Sequence, residues 1–165
     1  MTKERIVKSK KTPAYAKLAA WLLAGITLVT GGVLLTQQPA KAADVVVYKS
    51  PTCGCCKGWV SHLKENGYTV EVHNQRNMNP VKAELGVPRH LQSCHTAKVG
   101  EYVIEGHVPA DVIARLLKEK PSIKGLAVPG MPMGSPGMEG PREDPYDVVT
   151  FQANGKTTVY ARRNQ

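Results

Sequence analysis

Three of the chain's four cysteines fall within four residues, Cys53-Gly54-Cys55-Cys56, directly behind a β-branched run, and no other feature restricts the fold so tightly. The run Asp44–Tyr48, DVVVY, is almost uniformly apolar, as expected of a strand inside a sheet. Ser50-Pro51-Thr52 turns the chain, and the cysteines then open a helix. Trp59, Val60 and Leu63 recur at helical spacing, Lys57, Lys64 and Glu65 face outward, and Gly67 supplies a stop. A thiol motif at a strand-to-helix junction sits at a helix N-terminus, where free N–H groups and partial positive charge favour thiolate.

The elements that follow suit this start. Tyr68–Asn74 alternates and predicts a second strand. Asn79–Pro88 predicts a short helix, with Pro80 at its start, Gly86 near its end and Pro88 beyond. His95–His107 holds two β-rich runs parted by Gly100-Glu101, the pattern of a hairpin. Pro109–Lys120 predicts a helix with Val112, Ile113, Leu116 and Leu117 on its apolar face. From Gly125 to Pro145 glycine and proline are too frequent for a regular element, and the runs flanking Asn154-Gly155 predict a closing hairpin. Strand, helix, strand, helix, hairpin, helix is the order of a thioredoxin-like α/β fold, extended here by a Gly/Pro/Met-rich loop and a C-terminal β-hairpin.

The net charge of +9 invites a nucleic-acid reading, but its distribution argues otherwise. Residues 1–42 carry seven basic side chains against Glu4 alone, while the other 123 residues carry 15 basic and 12 acidic ones. A basic start, an apolar run from Leu18 to Leu35 and then Ala40-Lys41-Ala42 form the layout of a secretory signal. The expected organisation is a signal peptide over 1–42 and one thioredoxin-like metal-binding domain over 43–165. An uncleaved N-terminal membrane anchor is the alternative, since an 18-residue apolar run lies at the lower limit for spanning a bilayer. Either arrangement puts the globular part in the periplasm, with the membrane reached only through the N-terminal segment and no role for nucleic acid.

In such an oxidising space thiols pair into structural staples by default. Neighbouring Cys55 and Cys56 rarely reach disulfide geometry with each other, so staples would have to recruit Cys94. Cys53 and Cys56 alone would spell a disulfide-exchange turn, but Cys55, rotated by about 100° from Cys56, adds a third sulfur. Thiolates at this spacing select Cu(I), zinc or an iron–sulfur cluster. Structural zinc would call for a second ligand pair that this chain lacks, and the compartment disfavours an iron–sulfur cluster. Cys94-His95, just before a predicted strand, would lie in this fold beside the helix that carries the motif. No proline immediately precedes that strand, which weighs against pure disulfide exchange.

Met131, Met133 and Met138 put soft thioethers into the Gly/Pro loop. His107, just before a helix, reads as a structural histidine at least as readily as a ligand. His62, His73 and His90 receive no role, and the lysines of the domain read as a solvated face.

The segments VVVYKSPTCGCCKGWVSHLKENGYTVEV, LGVPRHLQSCHTAKVGEYVIEGHVPADVIARLL and GLAVPGMPMGSPGME resemble a bacterial family catalogued as a domain of unknown function. Its members include the small periplasmic CopG-type proteins of copper resistance. The resemblance spans roughly Asp44 to Arg162 and implies a thioredoxin-like fold, copper binding through the cysteines and a part in copper resistance. Carried onto this chain, the binding cysteines are Cys53, Cys55, Cys56 and Cys94. The leading expectation is a periplasmic protein holding Cu(I), with one or several ions bridged by sulfur and with His95 or Met138 completing or gating the site. Cu(I)/Cu(II) cycling would make it an oxidoreductase, whereas capture and hand-off to another periplasmic copper-handling or redox protein would make it a chaperone. The alternatives are a thiol–disulfide oxidoreductase using Cys53 and Cys56, and an interaction domain stapled by disulfides.

Overall fold

The structure, a computed structural model, describes residues 44–165, so the signal or anchor expected over 1–42 lies outside the described residues. No helix among the described residues is long and apolar enough to cross a membrane.

Seven strands form one mixed sheet in the order β2-β1-β3-β4-β5-β6-β7. They are β1 (Val45–Lys49), β2 (Val70–Asn74), β3 (His95–Val99), β4 (Tyr102–Glu105), β5 (Gly125–Ala127), β6 (Tyr146–Phe151) and β7 (Thr157–Arg163). The helices are α1 (Gly54–Glu65), α2 (Asn79–Glu84) and α3 (Ala110–Glu119), with a 3₁₀ turn at Arg89–Leu91. β1 runs parallel to β2 and antiparallel to β3, β3 turns back into β4 through Gly100, and β4 is parallel to β5. β5–β6 and β6–β7 are antiparallel, and the Asn154-Gly155 turn closes the last hairpin as its sequence predicts.

The two faces of the sheet bury different partners. Val45, Val47, Ala97 and Ile104 join Trp59 and Leu63 of α1 and Ile113 and Leu116 of α3 in the main core. Val103, beside Ile104 but pointing the other way, joins Ala127, Phe151, Val87 and Leu91 in a smaller one. Trp59, fully buried, also donates from Nε1 to the Val108 carbonyl at 2.8 Å, tying α1 to the segment that enters α3. Trp59→Phe keeps most of the apolar area but leaves that carbonyl without its donor. It should cost about 1–3 kcal/mol in chemical denaturation.

Two expectations need correction. Composition predicts no regular element from Gly125 to Pro145, yet Gly125–Ala127 is a strand. Gly125 allows close packing here, because a Cβ at this position would overlap the Val103 carbonyl oxygen of β4. The sequence predicts a solvated face for the lysines, yet Lys49 and Lys82 are each only 4% exposed. Lys49 Nζ donates to the Ser50 carbonyl at 2.8 Å, while Lys82 meets a buried carboxylate.

Candidate metal centre

The cysteine motif occupies the start of α1. Cys53 is the N-cap, extended at φ −72° and ψ 105°, and its Sγ accepts from the Cys56 N–H at 3.3 Å. Sulfur thus takes the place an oxygen side chain usually fills at a helix start. Cys53 and Cys56 are joined by a disulfide, with Cα atoms 5.4 Å apart, and Cys56 is fully buried. Cys55 and Cys94 are free, half-buried thiols.

Sheet topology delivers the fourth sulfur. β3 lies antiparallel to β1, with His95 opposite Lys49, so the loop entering β3 ends beside the start of α1. Cys55 Sγ lies 3.4 Å from Cys53 Sγ and 3.9 Å from Cys94 Sγ, and Cys56 Sγ lies 3.8 Å from the Cys94 carbonyl oxygen. All four sulfurs fall within 4.8 Å of one another.

A second group shares Cys94. Its Sγ is 3.0 Å from His107 Nε2 and 3.3 Å from His95 Nδ1. The Pro136 carbonyl, 2.7 Å from His107 Nδ1, can only accept, so Nδ1 carries the proton and Nε2 presents a lone pair to the Cys94 thiol. The Cys94 S–H then donates to His107, while His95 Nδ1 faces the same sulfur from another side. His95 Nε2 is a buried side-chain atom with no hydrogen-bond partner.

Burial holds His95 well below the ordinary imidazole range, with His107 adding to the effect, and it lowers His107 against the pull of the Pro136 carbonyl. Both rings are neutral in this arrangement. Burial, with Cys55 next, pushes the Cys94 thiol up to about 12. The metal-free pocket therefore keeps Cys94 protonated, and a bound cation would have to displace that proton.

The Gly/Pro/Met loop is a built cover over this region. Gly137, at φ +84°, lies against the first turns of α1; a Cβ there would sit 2.5 Å from the Cys55 carbonyl and 2.6 Å from the Trp59 nitrogen. The loop is closed by Gly134 N–H donating to the Met138 carbonyl at 2.9 Å and Met138 N–H donating to the Ser135 carbonyl at 2.8 Å. Met138 is thus one residue from the contact with α1. Met133 packs against Gly140, while Met131 is 52% exposed.

Of the sequence candidates, Cys53, Cys55, Cys56 and Cys94 come together as one sulfur group, and His95 adjoins that group through Cys94. His107, which the sequence left between structural and ligand roles, reaches Cys94 more closely than His95 does. Thirteen residues and a hairpin separate it from Cys94, and a lone histidine ahead of a helix carries no spacing signal. His62 accepts from the Ala110 N–H at 3.1 Å and so serves the start of α3.

Fold and site together define a small mixed α/β protein whose four cysteines, drawn from two separate elements, form a group that could hold a metal ion. Two solved structures of copper resistance protein CopG are similar to it. Form 2 is 46% identical, with 72% of this chain and 95% of that chain covered at a TM-score of 0.68. Form 1 is 45% identical, with 73% and 97% covered at 0.69. The chain belongs to the CopG-type copper resistance family. Residues 91–138 also match a family described as a protein of unknown function, DUF411. A search of curated proteins finds no match.

Proposed function

We propose that this is a periplasmic copper-handling protein in which Cys53, Cys55, Cys56 and Cys94, once reduced, hold Cu(I). The observation that carries this reading is the approach of four sulfurs from α1 and from the β3 entry loop to within 4.8 Å. Thiolates suit Cu(I), and with few other donors nearby they would bridge more than one ion. The relatives named for copper resistance support copper as the metal. A thioredoxin-like core is supported by the β2-β1-β3-β4 order, with parallel β1 and β2 joined by α1. The basic-then-apolar residues 1–42 support export to the periplasm, where a Cys53–Cys56 disulfide persists.

The disulfide form is the oxidised, copper-free state. A dithiol reductant passes two electrons and two protons to it, giving two thiols, and Cu(I) then displaces thiol protons as it binds. Cycling to Cu(II) would send one electron per ion to a redox or copper-handling partner.

Anaerobic titration with Cu(I) against a competing chelator tests this. The reduced protein should bind with all four thiols protected, and the disulfide form should bind at least about 100-fold more weakly. Equal affinity in the two forms would refute the four-thiolate centre. The disulfide at a helix N-terminus also favours a second reading, thiol–disulfide exchange with Cys53 attacking and Cys56 resolving. That reading expects insulin reduction in the presence of a metal chelator and a dithiol, and inactivity there counts against it.

A further inference from the structure

Strand β4 ends in a charge that sulfur chemistry leaves unexplained. Glu105 is fully buried, and its carboxylate pairs with Lys82 of α2, itself almost fully buried. Apolar residues of similar volume would generally serve stability as well as or better than such a pair. The geometry of its hydrogen bonds suggests another use.

Both carboxylate oxygens are engaged. Oε1, which faces Lys82 Nζ, also accepts from the backbone N–H of Ser93 at 2.6 Å. Oε2 accepts from the Thr96 hydroxyl at 2.6 Å, and that hydroxyl in turn accepts from Lys82 Nζ at 3.0 Å. Ser93 immediately precedes Cys94, Thr96 follows it by two residues, and Glu105 precedes His107 by two. One carboxylate therefore grips the chain on both sides of the Cys94 thiol, from the strand that leads to its imidazole partner.

The grip extends to the covering loop. Ser93 Oγ donates to the Gly130 carbonyl at 2.6 Å, at the start of the loop whose Pro136 carbonyl holds His107 Nδ1. Gly106, at φ +70°, leaves no slack between these segments: a Cβ there would lie 2.7 Å from the Val128 carbonyl and 2.8 Å from Ser93 Cβ.

We propose that Glu105, paired with Lys82 and oriented by Thr96, is a positioning residue for the metal centre, fixing the Cys94 backbone so that its sulfur lies between Cys55 and His107. The inference rests on the copper-thiolate reading for its purpose, but its first test needs no copper. The ratio of iodoacetamide labelling at Cys94 to that at Cys55, read by mass spectrometry on the reduced, metal-free full chain, reports how Cys94 is held.

Two charge-free double variants separate positioning from stability. Lys82→Met with Glu105→Gln keeps an acceptor for Ser93 N–H and should keep the wild-type labelling ratio. Lys82→Met with Glu105→Leu removes that acceptor and should raise the ratio about ten-fold in a protein that stays folded, with at most the modest loss of melting temperature that one unpaired buried donor brings. Cu(I) affinity should then fall by about 10–100-fold in the second variant only, the range expected when an outer partner of a ligand is lost.

A Met/Leu variant that folds and labels like wild type overturns the proposal. If it does not fold, Thr96→Val takes its place; it frees Oε2 and should raise the labelling ratio about three-fold, and an unchanged ratio is again fatal. A raised ratio with unchanged copper affinity leaves the positioning role standing and removes Cys94 from the copper site. The two ideas can therefore fail separately.

Discussion

Cys94→Ser should lower the Cu(I) affinity of the reduced protein by more than about 100-fold, beyond the 10–100-fold that follows loss of an outer partner of a ligand. The other three cysteines share one turn of α1, whereas Cys94 reaches them from the β3 entry loop, its sulfur 3.9 Å from that of Cys55. Without it, the remaining thiols belong to a single turn and cannot enclose an ion from the opposite side. Serine nearly preserves volume but replaces a soft donor with a hard oxygen that Cu(I) binds poorly. The half-buried position and the small change in size leave the fold intact, so circular dichroism and melting temperature should match wild type. A chelator competition that returned wild-type affinity for Cys94→Ser would reduce the site to the α1 turn alone. Cys94 also makes both histidine contacts, so the variant should uncouple His95 and His107 from the cluster, visible as changed imidazole shifts in NMR.

Legibility in the sequence followed the range of each interaction. The start of α1 was readable because its signals are local: a β-branched run, a turn and cysteines ahead of apolar residues at helical spacing. The hairpins at Gly100 and Asn154-Gly155 were readable for the same reason. Cys94 was placed beside α1 only by assuming a topology, and the antiparallel pairing of β3 with β1 bears that placement out.

What sequence reasoning missed depends on contacts that leave no periodic trace. Gly125 looks like a loop residue because its role, close approach to the Val103 carbonyl, is set by a strand more than twenty residues away. His107 has no sequence neighbour that marks its meeting with Cys94. Lys82 sits on a short helix whose other residues are exposed or half-buried, so nothing in its vicinity announces a buried partner on β4.

Breaking the buried Lys82–Glu105 pair should cost more than losing a single neutral hydrogen bond. Lys82→Ala should destabilise the metal-free protein by about 3–5 kcal/mol at pH 7, because it leaves Glu105 buried without its counter-charge. The Ser93 and Thr96 donors remain, which spares the carboxylate complete isolation. The deficit should also depend on pH, in a direction fixed by the forces on Glu105. Burial raises its pKa above the ordinary carboxylate value, and Lys82 is the principal influence opposing that rise. Removing Lys82 lets the pKa climb further, so the folded variant binds a proton more tightly than its unfolded chain. A raised folded pKa contributes stability that is fully present below the unfolded value of about 4.3 and is lost as pH rises through the folded one. The gap between wild type and Lys82→Ala should therefore be smallest near pH 4 and widen toward neutrality. Urea denaturation across that range measures it, and a gap that stayed constant or shrank with rising pH would mean that Glu105 is not the charge left behind. Lys82→Met with Glu105→Leu should recover most of the loss at every pH, since both charges leave together. A pair that can be exchanged for apolar residues at little cost in stability, yet holds the residue before Cys94, has its use in geometry rather than in cohesion.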